Sequence, residues 1–475
     1  MRSRGRLALL ALVAVTVAGA RPAAAYDFTV GLRTIGQGYQ VRRFAADGSN
    51  ELLSRRRLTQ YMDLAVFDLA PSRWRGDDGD RNVLYFDASL RFDSDFGGYM
   101  LGRPTGTDEI HELKQSQLDI LYAFLGGRNV GGRVDFMLGR QIHFDLVDFF
   151  AYDGGAALVH LTRNFAVEAY GGTEVRGELP LSAPIYELDG TSAGSRDPAT
   201  RPDQNSMLRP LVGGAVVAGS DAGPLMARLA YRRVWSATAD QQIGEPDSGV
   251  NDEKLSLTAL ATWRNRAYVA GGARFNLLLG EFDDEQLLVK LRTFARQWVT
   301  LEHAYLAPTF DGDSIWNVFA AGAYRDLRAV YEVGIGPEVK TYARGFIRFF
   351  TASGQAGGGS LGAVWRRGRG FLRADGYWED GYGGRKVGVD ASARLGIRRA
   401  FEIEGRLTGY EWRADATGDA ARSPNDAGVV FGAQAGGRWQ LGRGVKLHLL
   451  AEDNVGTFYS SAFRGLAVVE VDASL

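Results

Sequence analysis

Residues 84–93 read LYFDASLRFD, and this stretch decides the class of fold that the chain is expected to adopt. Its apolar set is Leu84, Phe86, Ala88, Leu90 and Phe92, and its interleaved set is Tyr85, Asp87, Ser89, Arg91 and Asp93. Because successive side chains of a β-strand point to opposite faces, this two-residue period predicts a strand with one apolar face and one polar face. The same period recurs at residues 255–263, 387–397 and 401–408, so the chain is predicted to be all-β.

The links between these segments fall into two length classes. Short links occur at residues 163–164, 264–266, 325–326, 367–369, 398–400 and 442–444, and long polar links occur at residues 95–113, 176–207, 237–253 and 414–427. A membrane-spanning β-barrel has short turns at one end and longer loops at the other. No apolar run of about 18 residues follows residue 25, which argues against helical spans. We predict a transmembrane antiparallel up-and-down β-barrel of about 22 strands, within a range of about 18 to 24.

One segment, from residue 328 to residue 350, is difficult to divide into strands. Two separate strands here would break the alternation of short and long links. We therefore expect one long strand, or a bulge near Gly336 and Pro337, because proline cannot donate a hydrogen bond to the ladder.

Residues 1–25 have the composition of a secretory signal peptide. Arg2, Arg4 and Arg6 form a basic start, residues 7–19 are apolar, and three alanines at residues 23–25 provide a cleavage site. The apolar part is shorter than the roughly 20 residues that a transmembrane helix needs. We predict a signal peptide at residues 1–25 and a barrel at residues 26–475.

The charge and the cysteine count exclude several functions. The net charge of the full chain is −1, which argues against nucleic acid as a partner. The chain has no cysteine, so a disulfide framework and a thiolate metal site are both ruled out.

Charged residues of both signs are predicted to lie on the inner face of the barrel, opposite the apolar face of each strand. They are Asp87, Arg91, Arg133, Asp135, Arg344, Arg348, Arg373, Asp375, Asp390, Arg394, Glu402, Glu404 and Arg406. An arginine or lysine facing lipid at the bilayer midplane costs about 2–4 kcal/mol, so this placement predicts a wet lumen. The alternative for each single residue is a structural role as a cross-strand partner of the opposite charge.

The alternation at residues 467–475 resembles the C-terminal signal by which outer-membrane proteins are handed to the barrel assembly machinery, although Leu475 stands where an aromatic residue is usual. As a pattern, the chain from residue 26 onward resembles Gram-negative outer-membrane porins. The resemblance implies an outer-membrane location, contact with outer-membrane lipid, assembly by that machinery, and passive diffusion of small solutes or ions.

Residues 139–141 read GRQ and precede the acidic and aromatic stretch IHFDLVDFFAYD at residues 142–153. A similar strand end is found in porin-like families, and the resemblance implies a loop that folds into the lumen. The candidate residues of a pore constriction are Arg140, Asp145, Asp148 and Asp153. The alternative is a surface loop flanked by interface aromatics such as Phe144, Phe149, Phe150 and Tyr152.

Other functional classes have weaker support. Only five histidines occur, and no candidate general base has an evident partner, so we expect no enzyme activity. The acidic runs at residues 77–80 and 283–285 are interpreted as solvated charge, and no metal or cofactor is expected. Alternation begins at Phe28, which leaves no room for the plug of an energised receptor. We predict a porin-type channel; the alternative is a structural or adhesive barrel that binds a partner through residues 176–207, and the oligomeric state stays open.

Overall fold

The computed structural model describes residues 27–44, 50–69, 84–95, 116–175, 209–219, 223–235, 249–307, 323–351, 354–414, 427–457 and 459–474. The predicted signal peptide, the proposed adhesive loop at residues 176–207 and Leu475 lie outside these ranges.

The described chain is built from strands. Their bounds are β1 (Phe28–Phe44), β2 (Asn50–Val66), β3 (Leu84–Asp95), β4 (Ser116–Val130), β5 (Val134–Phe144), β6 (Phe149–Thr162), β7 (Phe165–Glu174), β8 (Pro210–Gly219), β9 (Leu225–Trp235), β10 (Val250–Trp263), β11 (Ala267–Asn276), β12 (Glu281–Phe294), β13 (Gln297–Leu306), β14 (Tyr324–Ile335), β15 (Val339–Phe350), β16 (Gly354–Arg367), β17 (Gly370–Gly381), β18 (Arg385–Arg398), β19 (Phe401–Arg413), β20 (Ala427–Gly442), β21 (Val445–Gly456) and β22 (Tyr459–Ser474). Within these ranges, no helix is long and apolar enough to span a membrane.

The strands form one closed sheet. Each strand pairs antiparallel with the next along the chain, and β1 pairs with β22 from Thr29 opposite Ser474 to Gly38 opposite Gly465. Closure removes the free edges that an open sheet would expose. The predicted all-β, up-and-down barrel and its strand number are therefore confirmed: the sheet has 22 strands.

The expectation of one long strand or a bulge near Gly336 is wrong. β14 and β15 form a regular hairpin from Tyr324 opposite Phe350 to Ile335 opposite Val339, without a shift of register. Gly336 has a φ of 73°, a left-handed conformation that favours glycine, and Pro337 lies in the turn, where no ladder hydrogen bond is needed from it. The predicted short link at residues 325–326 is also wrong, because both residues lie inside β14.

The lengths of the connections between strands explain why the assumed alternation of short and long links gave a wrong prediction for β14 and β15. At the end of the barrel that holds the β14–β15 turn, most connections have five residues or fewer. At the opposite end, called the loop end here, long connections alternate with tight ones such as residues 145–148 and 277–280. Two tight turns can therefore follow one another along the chain.

The outer face of the barrel is apolar in the middle of the strands. Exposed outward side chains include Leu225, Leu229, Leu255, Leu257, Leu287, Leu301, Leu327, Leu361, Val389, Leu395, Leu407, Phe431 and Val469. A band of this kind is the surface that lipid covers in a membrane-spanning barrel.

Candidate pore constriction

The hairpin of β5 and β6 extends beyond the strands on either side of it. The β4–β5 ladder ends where Ala123 lies opposite Arg140, and the β6–β7 ladder ends where Tyr152 lies opposite Glu174. The hairpin itself continues to Phe144 opposite Phe149. Residues 141–152 are called the inner hairpin here; apart from Tyr152, which lies opposite Glu174, none of them has a ladder partner on β4 or β7.

Glycines on three adjacent strands form the base of the inner hairpin. Gly139, Gly154 and Gly172 lie opposite one another in register on β5, β6 and β7. Gly139 has a φ of 129°, and a Cβ built on Gly154 would lie 2.1 Å from the carbonyl oxygen of Gly171. Only glycine fits such a backbone conformation and such a close approach. These residues permit the hairpin to leave the wall.

The tip of the inner hairpin is held by charged side chains on the inner face of β7, β9 and β11. Asp145 pairs with Arg228 at 2.9 Å, and the same guanidinium pairs with Glu168 at 2.9 Å. Asp148 accepts a hydrogen bond from Arg232 at 3.2 Å. The tip thus contacts side chains that are distant from it in the sequence.

The network continues onto β10 and β12. Arg232 also pairs with Asp252 at 2.8 Å, and Asp252 in turn contacts Lys254 at 3.1 Å. Arg274 pairs with Asp283 at 2.6 Å and donates a hydrogen bond to the carbonyl oxygen of Val147. Buried ion pairs leave an uncompensated charge when one partner is removed, which makes the arrangement hard to open one contact at a time.

Asp145 also shapes the turn. Its Oδ1 accepts hydrogen bonds from the backbone N–H groups of Val147 at 3.0 Å and Asp148 at 2.8 Å. Burial raises the pKa of the Asp145 carboxyl, but the hydrogen bonds from His143 and from the two backbone groups, with the charge of Arg228, outweigh burial and hold the pKa below its ordinary value. The carboxylate therefore stays charged at neutral pH.

Aromatic side chains fill the space beneath the inner hairpin. Phe150, Tyr152 and Tyr170 form a buried cluster with Ala156, Leu211 and Val234. The Arg232 guanidinium lies 4.4 Å from the centre of the Phe150 ring. The interpretation of Phe150 and Tyr152 as interface aromatics is therefore wrong, whereas Phe144 and Phe149 form an exposed edge-to-face pair on the other side of the hairpin.

The four candidate constriction residues separate into two groups. Asp145 and Asp148 lie at the tip, against the arginines of the wall. Arg140 and Asp153 lie at the base and pair with each other through two hydrogen bonds of 2.7 and 2.8 Å. Arg140 also donates to the carbonyl oxygen of Ile120 at 3.1 Å, which ties the base to β4.

Most of the other predicted lumen charges occupy strand positions that alternate with exposed apolar residues, and many are paired. Arg373 pairs with Asp375 at 2.6 Å, Arg406 with Asp390 at 2.7 Å, Arg348 with Asp326 at 2.7 Å, Glu404 with His448 at 2.6 Å and with Arg438 at 3.0 Å, and Asp135 with His160 at 2.9 Å. Asp87 lies opposite Phe124, Arg91 is almost fully buried, and Glu402 lies opposite Arg438 and Gly396 in the ladders. Arg133 is the exception, because it lies in the β4–β5 turn rather than in a strand.

Two exposed arginines of the predicted set that lie within strands have no carboxylate partner of this kind. Arg344 on β15 and Arg394 on β18 are exposed, and within the described ranges neither has a carboxylate within 4.0 Å. Exposed, unpaired guanidinium groups on the inner face are what a water-filled lumen accommodates and a dry core does not.

Several residues of the network were missed by the sequence analysis. They are Glu168, Glu174, Arg228, Arg232, Asp252, Lys254 and Arg274. Asp283 was interpreted as solvated charge, and that interpretation is wrong, because its side chain is fully buried and pairs with Arg274 and Lys254. A signal for the arginines was present, because Arg228 and Arg232 alternate with the apolar Leu225 and Leu229. Their contact with residues 145–148 had no signal in the sequence, since 83 residues separate Asp145 from Arg228.

Comparison with known proteins gives structures alone. No family model matches the chain, and no curated protein matches it. OccK3 (OpdO) of Pseudomonas aeruginosa is 10% identical, with 95% of this chain and 96% of that chain covered and a TM-score of 0.41. OccK7 (OpdD) of the same organism is 9% identical, and the match covers 95% of this chain and 100% of that chain with a TM-score of 0.44. A BenF-like porin from Pseudomonas fluorescens Pf-5 is 10% identical, and the match covers 95% of this chain and 99% of that chain with a TM-score of 0.39. At such scores the likeness carries no weight, so function is inferred from this chain's own contacts.

Proposed function

We propose that this chain is an outer-membrane channel for passive diffusion of small hydrophilic solutes or ions, narrowed by the inner hairpin. The observation that carries the proposal is a closed barrel with an apolar exterior and an interior of ion pairs and exposed arginines. A face of this polarity requires water, and water on the inside of a closed barrel makes a path across the membrane.

The inner hairpin supplies the proposed constriction. Its tip lies against β7, β9 and β11, and it is anchored by Asp145 and Asp148. The inner hairpin therefore fills one side of the lumen. The inner face of the later strands, which carries Arg344 and Arg394, forms the opposite wall of the pore. Arg140 and Asp153 act at the base as a brace for the bend.

Location and biogenesis follow from the same proposal. An outer-membrane barrel must be exported, and the signal peptide at residues 1–25 would serve this step before the barrel assembly machinery inserts the chain. The apolar outer band would then contact outer-membrane lipid.

No catalytic role enters the proposal. Three of the described histidines pair with a carboxylate across strands: His160 with Asp135, His303 with Glu285 and His448 with Glu404. Such pairs stabilise a sheet as cross-strand contacts, and we assign them that function.

Single-channel conductance in a planar bilayer tests the proposal. We expect stable current steps from the inserted chain. The double variant Asp145→Asn, Asp148→Asn should give larger and noisier steps, because both charges that hold the hairpin tip are removed. Asp472→Asn is the control, since this exposed carboxylate contacts Lys446 near the other end of the barrel. An inserted, folded barrel that never conducts would overturn the proposal and favour the structural or adhesive alternative.

A further inference from the structure

Polar groups occur on the outer, lipid-facing side of the barrel near its loop end. Glu285 on β12, Tyr305 on β13 and Arg325 on β14 lie opposite one another in register, and together they form what we call the outer polar row. Alternation places them on the same face as the exposed Leu287, Leu301 and Leu327. This face is the outside of the barrel, where charged side chains are unusual.

Arg325 is the cation of this row. It is exposed, and its guanidinium lies 5.3 Å from the centre of the Tyr305 ring. Within the described ranges no carboxylate lies within 4.0 Å of it, and Glu285, the carboxylate of the same row, pairs with His303 at 3.3 Å. The cost of an outward arginine falls from about 2–4 kcal/mol at the midplane to about 0–1 kcal/mol near the interface, which fits its position at the start of β14.

An apolar groove begins directly below the outer polar row, towards the middle of the membrane. It has a volume of about 560 Å³ and lies over β12 to β15. Its lining includes Leu287, Val289, Leu301, Leu327, Ala329 and Ile347. The groove exists because Ala329 and Gly345 are small residues opposite each other in the β14–β15 ladder. A Cβ on Gly345 would lie 4.0 Å from its nearest neighbour, the carbonyl oxygen of Gly358.

We propose that this surface binds lipopolysaccharide, the phosphorylated glycolipid of the outer leaflet, with a phosphate on Arg325 and an acyl chain in the groove. Two independent observations agree on this chemistry. An exposed guanidinium without a carboxylate partner matches phosphate, and guanidinium groups bind phosphate oxygens through paired hydrogen bonds. An apolar groove immediately below it matches an acyl chain that continues into the membrane. The loop end is the outer-leaflet end under the proposed orientation, because long loops lie on the extracellular side.

The role of Tyr305 is to position the arginine. The guanidinium lies near the ring, where cation–π attraction restricts the rotamers of Arg325. His303 lies two residues deeper on the same strand, at the upper edge of the groove, where it pairs with Glu285.

The test measures how many lipopolysaccharide molecules stay bound to the chain purified from outer membranes, by native mass spectrometry after a detergent wash. We expect one retained molecule. Arg325→Gln removes the phosphate contact, and Ala329→Leu fills the groove; each should lower retention by about tenfold or more. Arg325→Lys keeps the charge and should restore part of the binding.

Matched controls change the same chemistry elsewhere. Arg443→Gln removes an exposed arginine from the β20–β21 turn, and Ala435→Leu adds the same side chain to an exposed position of β20. Both should retain lipopolysaccharide as the original chain does. All five variants should show the same heat-dependent gel mobility, which reports a folded barrel. Arg325→Gln should leave conductance unchanged because its side chain points away from the lumen.

Two results would overturn the proposal. One is full retention of lipopolysaccharide by the folded Arg325→Gln and Ala329→Leu variants. The other is equal displacement by phosphatidylglycerol vesicles, which would make the surface a general phospholipid contact. Loss of affinity for phosphatase-treated lipopolysaccharide would support the assigned phosphate contact. Failure of these experiments would leave the channel proposal intact, since conductance is measured separately.

Discussion

Tyr170 and Gly213 lie opposite each other in the β7–β8 ladder, and the Tyr170 ring occupies the space above the glycine. A Cβ on Gly213 would lie 2.2 Å from this ring. We expect Gly213→Ala to push Tyr170 out of the buried cluster beneath the inner hairpin and to lower the free energy of unfolding by about 1–3 kcal/mol. Unfolding by guanidinium chloride in detergent, monitored by the fluorescence of the nine tryptophans, measures this change.

Gly376→Ala is the control for this substitution. Gly376 lies in β17 with no atom within 4 Å of a built Cβ, and its φ is not in the left-handed region. The added methyl group should leave stability unchanged or raise it slightly, because glycine in a strand costs conformational entropy. Equal destabilisation by both substitutions would contradict the argument from the Tyr170 ring.

For single residues, the sequence predicted whether a side chain lies on the inner or the outer face of the barrel, but not which residue it pairs with. Asp375 and Arg373 could be assigned to the inner face because the two-residue period fixes orientation. Pairings such as Asp148 with Arg232 depend on how far a hairpin leaves the wall and on which strands it then meets, and neither quantity has a local signature. Arg140 and Asp153 show the same limit, since both were named but their mutual pair was not.

The inner hairpin is the element that the proposed function depends on most, and its position can be tested by a disulfide. A Cβ on Gly272 of β11 would lie 2.8 Å from Cγ1 of Val147. Cγ1 is one bond from the Cβ of Val147, so the two Cβ atoms are no further apart than the upper limit of about 4.5 Å for a disulfide. The chain has no cysteine of its own. We expect Val147→Cys with Gly272→Cys to form a disulfide in most molecules, visible by gel mobility without reductant.

The conductance of this cross-linked variant carries the second half of the prediction. Because the hairpin already lies against β11, the oxidised variant should conduct as the original chain does, and reduction should not change the current. Val147→Cys with Gln434→Cys, which places the second thiol on the distant β20, should stay unlinked. A hairpin that crosslinks only to β20, or a disulfide that abolishes conduction, would contradict the described position.

At the scale of elements, the two-residue period predicted which segments form strands. The boundaries between strands were predicted wrongly where the turns were ambiguous. β3 and β18 were predicted because their alternation is uninterrupted. β14 and β15 were expected as one strand because loop lengths were assumed to alternate strictly, whereas the loop end contains several tight turns. The bend of the inner hairpin rests on Gly139, Gly154 and Gly172, which only become a row once the register is known.

For the whole molecule, the lumen has two walls of different charge. Around the inner hairpin, four cations face six carboxylates: Arg228, Arg232, Lys254 and Arg274 against Asp145, Asp148, Glu168, Glu174, Asp252 and Asp283. On the other wall, Arg344 and Arg394 add exposed positive charge. A solute passing between these walls would meet opposite charges on its two sides, so their effects on ion selectivity oppose each other.

We therefore expect weak ion preference in the original chain and shifts of opposite sign on changing either wall. Under a gradient of potassium chloride, Asp148→Asn should move the reversal potential towards anion preference, and Arg394→Gln should move it towards cation preference. Both shifts should shrink as salt rises from about 0.1 M to about 1 M, because the screening length falls from about 10 Å to about 3 Å. Arg325→Gln, on the outer face, should shift nothing. Shifts of the same sign for Asp148→Asn and Arg394→Gln would show that the two side chains do not act on the permeating ion as opposed walls.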